Sequence, residues 1–143
     1  MVELSAMASV FTDPYLIALI FATTILGVII GVLPGLGATT GAAILLPFTL
    51  TMEPVQAIAV LSTIYVSATF AGSITAILIN TPGTSASAAT TFDGYPLAQK
   101  GEAGRALGVA VVSSTIGGVF SIIVLCIAAP MLARVAYEFR PPE

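Results

Sequence analysis

The residues best suited to chemistry lie in two uncharged stretches rich in Gly, Pro and hydroxyl side chains. The first, at 34–41, reads Pro34-Gly35-Leu36-Gly37-Ala38-Thr39-Thr40-Gly41. The second, at 80–87, reads Asn80-Thr81-Pro82-Gly83-Thr84-Ser85-Ala86-Ser87. Both follow one order: Pro-Gly, then small residues, then a Thr-Thr pair, Thr39-Thr40 in one case and Thr90-Thr91 in the other. Gly37, Gly41 and Gly83 allow close backbone approach. Thr39, Thr40, Thr84 and Ser85 can donate hydroxyl hydrogen bonds to carboxylate oxygens, and Asn80 and Thr81 offer neutral oxygens suited to Na⁺. Where a membrane helix is broken, its free N–H groups and positive dipole end can face an anion while freed carbonyls face Na⁺. Such a site needs no buried Arg or Lys. The competing reading is that both stretches are plain turns at helix ends.

Other chemistries fit poorly. The Gly-rich segment 31–41 lacks the Lys-Ser/Thr of a phosphate-binding loop, and Gly35-Leu36-Gly37 is followed by Gly41, one residue late for a dinucleotide fingerprint. With no His, a histidine proton relay or His-ligated metal is excluded. No paired carboxylates fall within the apolar stretches, so no enzyme, cofactor or metal site is expected. Cys126 sits in the apolar run 122–129 and reads as a packing residue without a disulfide role. A net charge of −3, with Lys100, Arg105, Arg134 and Arg140 as the only cations, leaves no basic patch for nucleic acid.

The elements that must position the two stretches are membrane helices. The chain is 57% hydrophobic and 8% charged, with a mean hydropathy of +1.08. Soluble domains carry about 25% charged residues. No charge occurs between Asp13 and Glu53, between Glu53 and Asp93, or between Arg105 and Arg134. Each interval exceeds the ~20 apolar residues needed to cross ~30 Å of hydrocarbon. The pattern predicts spans at about 15–33, 55–79 and 106–129, with interrupted segments at about 34–51 and 80–96. Asp13-Pro14 is placed to open the first span and Pro130 to bound the last. Phe92-Asp93-Gly94-Tyr95-Pro96 reads as a turn, with Asp93 a turn or cap residue. Gly27, Gly31 and Gly35, and again Ala68, Gly72 and Ala76, fall four apart, the small-residue pattern of close helix packing. The hydroxyls Ser62, Thr63, Ser67, Thr69, Ser73 and Thr75 suggest burial against other helices or a polar cavity. The lead carries Glu3 and Asp13 but no basic region, so a cleaved signal peptide is not expected. Lys100 and Arg105 flank one end of the last span and Arg134 and Arg140 the other, so charge counting leaves orientation open.

Four blocks resemble a known family: Gly31-Val32-Leu33-Pro34-Gly35-Leu36-Gly37, Leu45-Leu46-Pro47-Phe48-Thr49, Ala71-Gly72-Ser73-Ile74-Thr75-Ala76-Ile77-Leu78-Ile79-Asn80-Thr81-Pro82-Gly83, and Asp93-Gly94-Tyr95-Pro96. In this order they are similar to the TctA family, the large membrane subunit of tripartite tricarboxylate transporters. Phe70-Ala71-Gly72-Ser73 stands where the family usually has aromatic-Gly-Gly-Ser. The resemblance implies an all-α polytopic membrane protein with interrupted or re-entrant helices. Residues 1–143 would be the N-terminal part of the transporter domain, a partial first repeat of a longer protein. It further implies a multi-pass secondary transporter of the bacterial inner membrane that imports tricarboxylates or related carboxylates with Na⁺ or H⁺ coupling. The implied partners are a small TctB-like membrane subunit and a periplasmic TctC-like solute-binding protein. The loops would face each other near the midplane and form half of a site. Gly35, Gly37, Thr39, Thr40, Gly83, Thr84 and Ser85 would contact substrate, and Asn80 and Thr81 the coupling ion. The alternative is a structural membrane subunit that packs against partners without binding substrate, drawing on the small-residue patterns.

Overall fold

A computed structural model of the chain describes residues 12–138, with side chains described through 132. The sequence's lead at 1–11 and its close at 139–143 lie outside the described residues. The described chain is all helical: α1 (Pro14–Val32), α2 (Ala38–Thr49), α3 (Pro54–Ile79), a 3₁₀ turn (Ala86–Ala88), α4 (Thr90–Gln99) and α5 (Ala103–Glu138). Three helices are long and apolar enough to cross a membrane: α1, α3 and Ala103–Leu132 of α5. The protein is thus a polytopic membrane protein. Helices suit that setting because they satisfy their backbone polar groups internally, where no water can.

Local chemistry sets the helix ends. Asp13 caps α1 by accepting the Tyr15 N–H at 2.9 Å, with Pro14 in the first turn. Pro34 then disfavours helical geometry at Leu33, which is extended with ψ 113°. Extended Glu53 followed by Pro54 starts α3 in the same manner. At its far end Asn80 adopts the left-handed conformation, φ 56°, and its N–H and that of Thr81 return to the Thr75 carbonyl. Asn pays less for that geometry than other residues with a Cβ.

The chain divides into two compact units, one reaching Leu107 and the other starting at Gly108. The first is organised around α3, on which α1, α2, the 3₁₀ turn and α4 all pack. Its fully buried Ile64 and Ile77, with Ala68, Ala71 and Ala76, make α3 the core element. Along α1, Gly27 and Gly31 are buried against it. A Cβ on Gly27 would collide with the Ser67 hydroxyl, and one on Gly31 would sit 2.7 Å from the Ala68 Cα. On α3, Ala68, Gly72 and Ala76 are all buried, Ala68 against Gly31 and Gly72 against Thr84. Gly35 does not join this face, because the helix has ended before it and nothing lies within 4 Å of its missing side chain. The second unit is the apolar remainder of α5, exposed along nearly all of 108–132.

Two expectations are corrected. Residues 92–96 form the body of α4, not a turn. Gly94 is buried beneath Ile77, whose Cγ1 would lie 2.7 Å from a Cβ there, so the glycine serves helix packing rather than chain reversal. Asp93 is accordingly an exposed residue of the first turn of α4, and the N-cap position belongs to Ala89. Pro130 lies inside α5, which continues to Glu138. Membrane helices tolerate Pro where neighbouring groups re-satisfy the freed carbonyl.

Candidate functional site

The first loop is a tight reversal. Pro34 and Gly35 occupy its central positions, Gly35 has φ 92°, and the Leu36 N–H donates to the Leu33 carbonyl at 3.1 Å. That is the type II arrangement, with Pro first and a positive-φ Gly second. Gly37 follows in extended geometry as the N-cap of α2, and the Gly41 N–H bonds its carbonyl at 3.1 Å. Helix geometry therefore leaves the N–H groups of Ala38, Thr39 and Thr40 without intrahelical acceptors, at the positive end of a 12-residue helix.

The second loop doubles back along α3. The Gly83 N–H donates to the Gly72 carbonyl at 3.3 Å. A Cβ on Gly83 would come within 2.7 Å of the Gly31 carbonyl oxygen and 2.8 Å of the Gly72 Cα. One on Gly72 would meet the Thr84 N at 3.1 Å. Gly83 in the loop thus sits against the backbone of Gly31 on α1 and Gly72 on α3 too closely for a side chain, and Gly72 leaves only tight room beside Thr84. Thr84 and Ser87 then brace each other. The Ser87 hydroxyl donates to the Thr84 carbonyl at 2.8 Å and accepts the Thr84 N–H at 3.1 Å, while the Ser87 N–H donates to Thr84 Oγ1 at 3.3 Å. Ser87 is buried, so this brace lies behind the loop.

These constraints bring the two loops together on one cavity of about 410 Å³. Gly35, Gly37, Thr39 and Thr40 line it from the first loop, and Gly83, Thr84 and Ser85 from the second. All seven residues expected to contact substrate therefore share one space. The cavity falls within the ~300–1,000 Å³ typical of small-molecule sites. None of its lining residues is charged. Hydroxyls, the first-turn N–H groups of α2 and the helix dipole give it donors, a combination that can hold an anion.

Other candidate residues lie elsewhere. Asn80 and Thr81 do not line the cavity; they close the end of α3, and the Thr81 hydroxyl donates to the Ile79 carbonyl at 3.2 Å. Gly41 packs within the bundle, its missing Cβ 3.4 Å from side-chain atoms of Ile30 and Ile64. The Thr-Thr pairs both open helices, α2 and α4, yet only Thr39 and Thr40 reach the cavity. Thr91 turns its hydroxyl to the Ala88 carbonyl at 2.7 Å. Sequence reasoning missed Tyr65, which lines the cavity from α3 together with Thr69. Their spacing of four residues puts both on one helix face. That signal was available, but only the loop contacts identify which face meets the cavity.

A second cleft of about 390 Å³ lies between α1 and α3, lined by Thr24, Val28, Val66 and Phe70 with Ser62, Thr63 and Ser67. The hydroxyls of Thr24 and Ser67 donate back to helix carbonyls, at 2.8 and 2.6 Å, which leaves Ser62 and Thr63 as the hydroxyls this cleft can offer.

Comparison with known proteins agrees with this architecture. No solved structure matches the chain. A curated relative from Agrobacterium vitis, described as an uncharacterized 52.8 kDa protein in the TAR-I ttuC' 3' region, is 50% identical over 123 residues. That alignment takes in 86% of this chain and 24% of the relative, so the chain spans about a quarter of the relative's length. The family model described as the tripartite tricarboxylate transporter TctA family matches residues 17–143, from α1 through both glycine-rich loops to the end. With membrane helices carrying those loops and a match over most of its length, the chain belongs to the tripartite tricarboxylate transporter TctA family.

Proposed function

We propose that the chain forms part of the membrane subunit of a secondary transporter that imports tricarboxylates or related carboxylates across the bacterial inner membrane. The observation that carries this reading is the convergence of residues 35–40 and 83–86 on one uncharged cavity rich in donors, within a bundle of membrane-length helices. Thr39, Thr40 and Ser85 supply hydroxyl donors, Gly35 and Gly37 shape the approach, and the first turn of α2 supplies backbone N–H groups to a carboxylate. Thr84, whose hydroxyl donates to Ser87 Oγ at 3.2 Å, reaches a substrate only by exchanging that bond. Family membership supports a periplasmic solute-binding protein and a small membrane subunit as partners. Import is coupled to Na⁺ or H⁺ in this proposal, and for Na⁺ the neutral oxygens of Asn80 and Thr81 are the ligands assigned. The activity is transport and not catalysis.

The test is uptake of labelled citrate and other carboxylates by cells producing the complete transporter with Thr39→Ala, Thr40→Ala or Ser85→Ala. Uptake is expected to fall about tenfold or more, the effect of losing a charge-assisted hydrogen bond, at unchanged membrane levels. Undiminished uptake across all three variants would sink the assignment. The structural-subunit alternative loses support from the glycine contacts, since Gly27, Gly31 and Gly72 are occupied inside the bundle and are not presented to partners.

A further inference from the structure

The α3 wall of the cavity differs in chemistry from the loop walls. Tyr65 follows Pro54 by 11 residues, about 17 Å along the helix, and precedes Ile79 by 14, about 21 Å. It therefore lies mid-span, away from the interfacial depth where membrane Tyr is enriched. A phenol O–H at that depth needs a polar partner. Tyr65 is 51% exposed and lines the cavity. Thr69, one turn on, donates its hydroxyl to the Tyr65 carbonyl at 2.7 Å. A hydroxyl has a single proton, so Thr69 Oγ1 offers the cavity only acceptor lone pairs. An acceptor facing a bare carboxylate is unfavourable, whereas a substrate hydroxyl would match it.

Resting on the carboxylate reading above, we propose that Thr69 is the specificity-determining residue of the site, selecting hydroxylated polycarboxylates, and that Tyr65 beside it binds their second carboxylate. The loop donors hold one carboxylate, Thr69 Oγ1 accepts from the substrate hydroxyl, and the Tyr65 O–H donates to a second carboxylate.

The test uses matched probes with and without a hydroxyl, citrate against tricarballylate and malate against succinate, as competitors of uptake by the complete transporter. The hydroxylated member is expected to compete about tenfold better in wild type. Thr69→Val, which is isosteric, should bring each pair within about twofold, and Thr69→Ser should restore the preference. Tyr65→Phe should weaken both members of a pair by about tenfold without changing their ratio. Thr39→Ala should likewise lower all four without altering either ratio. Carboxylates competing with no hydroxyl preference, or a preference that survives Thr69→Val, overturns this inference and leaves the carboxylate site standing. Failure of every carboxylate to compete overturns both.

Discussion

At the scale of single residues, glycines decide how closely the backbone can approach. Gly31 and Gly83 leave no room for a methyl group, and their neighbours at closest approach are backbone atoms, which cannot rotate aside. Gly31→Ala or Gly83→Ala is expected to cost about 1–3 kcal/mol, the range for overpacking a dense core. The measurement is thermal unfolding of the complete protein in detergent, with Gly104→Ala as the control, since nothing lies within 4 Å of that position. Gly35 differs in kind. Its surroundings are open, but φ 92° strains any other residue, so Gly35→Ala should cost about 1 kcal/mol without a clash. The close packing of Gly31 was legible from its four-residue spacing with Gly27. The contact of Gly83 was not, because it meets α1 as well as α3, and α1 is distant in sequence.

At the scale of elements, the helix ends hold the loops in place. Ser87→Ala removes the hydroxyl that accepts the Thr84 N–H and donates to the Thr84 carbonyl. A loss of about 1 kcal/mol is expected, with faster proteolysis near 83–88 as the readout. Asn80 offers a cleaner separation of roles. Asn80→Gly preserves the left-handed cap at the end of α3 and should leave stability within about 0.5 kcal/mol, whereas Asn80→Ala should cost about 1 kcal/mol. If Asn80 also ligates Na⁺, the Gly variant will lose Na⁺ dependence of uptake while melting normally. Normal Na⁺ dependence in that variant would assign Asn80 to capping alone. Element type was readable for the long apolar spans. It was misread at 92–96, where Asp-Gly-Tyr-Pro has turn chemistry but α3 supplies a surface against which a helix can lie. Tertiary packing overrode local propensity there.

At the scale of the whole molecule, the bilayer is the solvent that the composition anticipates. Cys126 is exposed in the apolar length of α5, which begins as the last span of the sequence pattern. In intact membranes it should resist a charged maleimide and react with an apolar one, and solubilisation in denaturing detergent should expose it to both. Rapid labelling by the charged reagent in intact membranes would argue against α5 as a span. The exposure of α5 over 108–132 fits a helix whose surroundings are lipid or partner helices.

The sequence by itself determined that the protein is helical and membrane-embedded. That conclusion rests on the solvent: long uncharged apolar runs have no other stable setting, and in lipid the backbone must bond to itself. It also marked the two glycine-rich interruptions and their hydroxyls as candidates for chemistry. Only the tertiary structure decided that these interruptions meet, because the contact of Gly31, Gly72 and Gly83 joins segments that no local pattern connects. It also separated Asn80 and Thr81, at the closing turn of α3, from the hydroxyls that line the cavity, and brought Tyr65 and Thr69 to the cavity's third side. Spacing assigns residues to the faces of one helix, but which face meets a loop from elsewhere in the chain is set by packing.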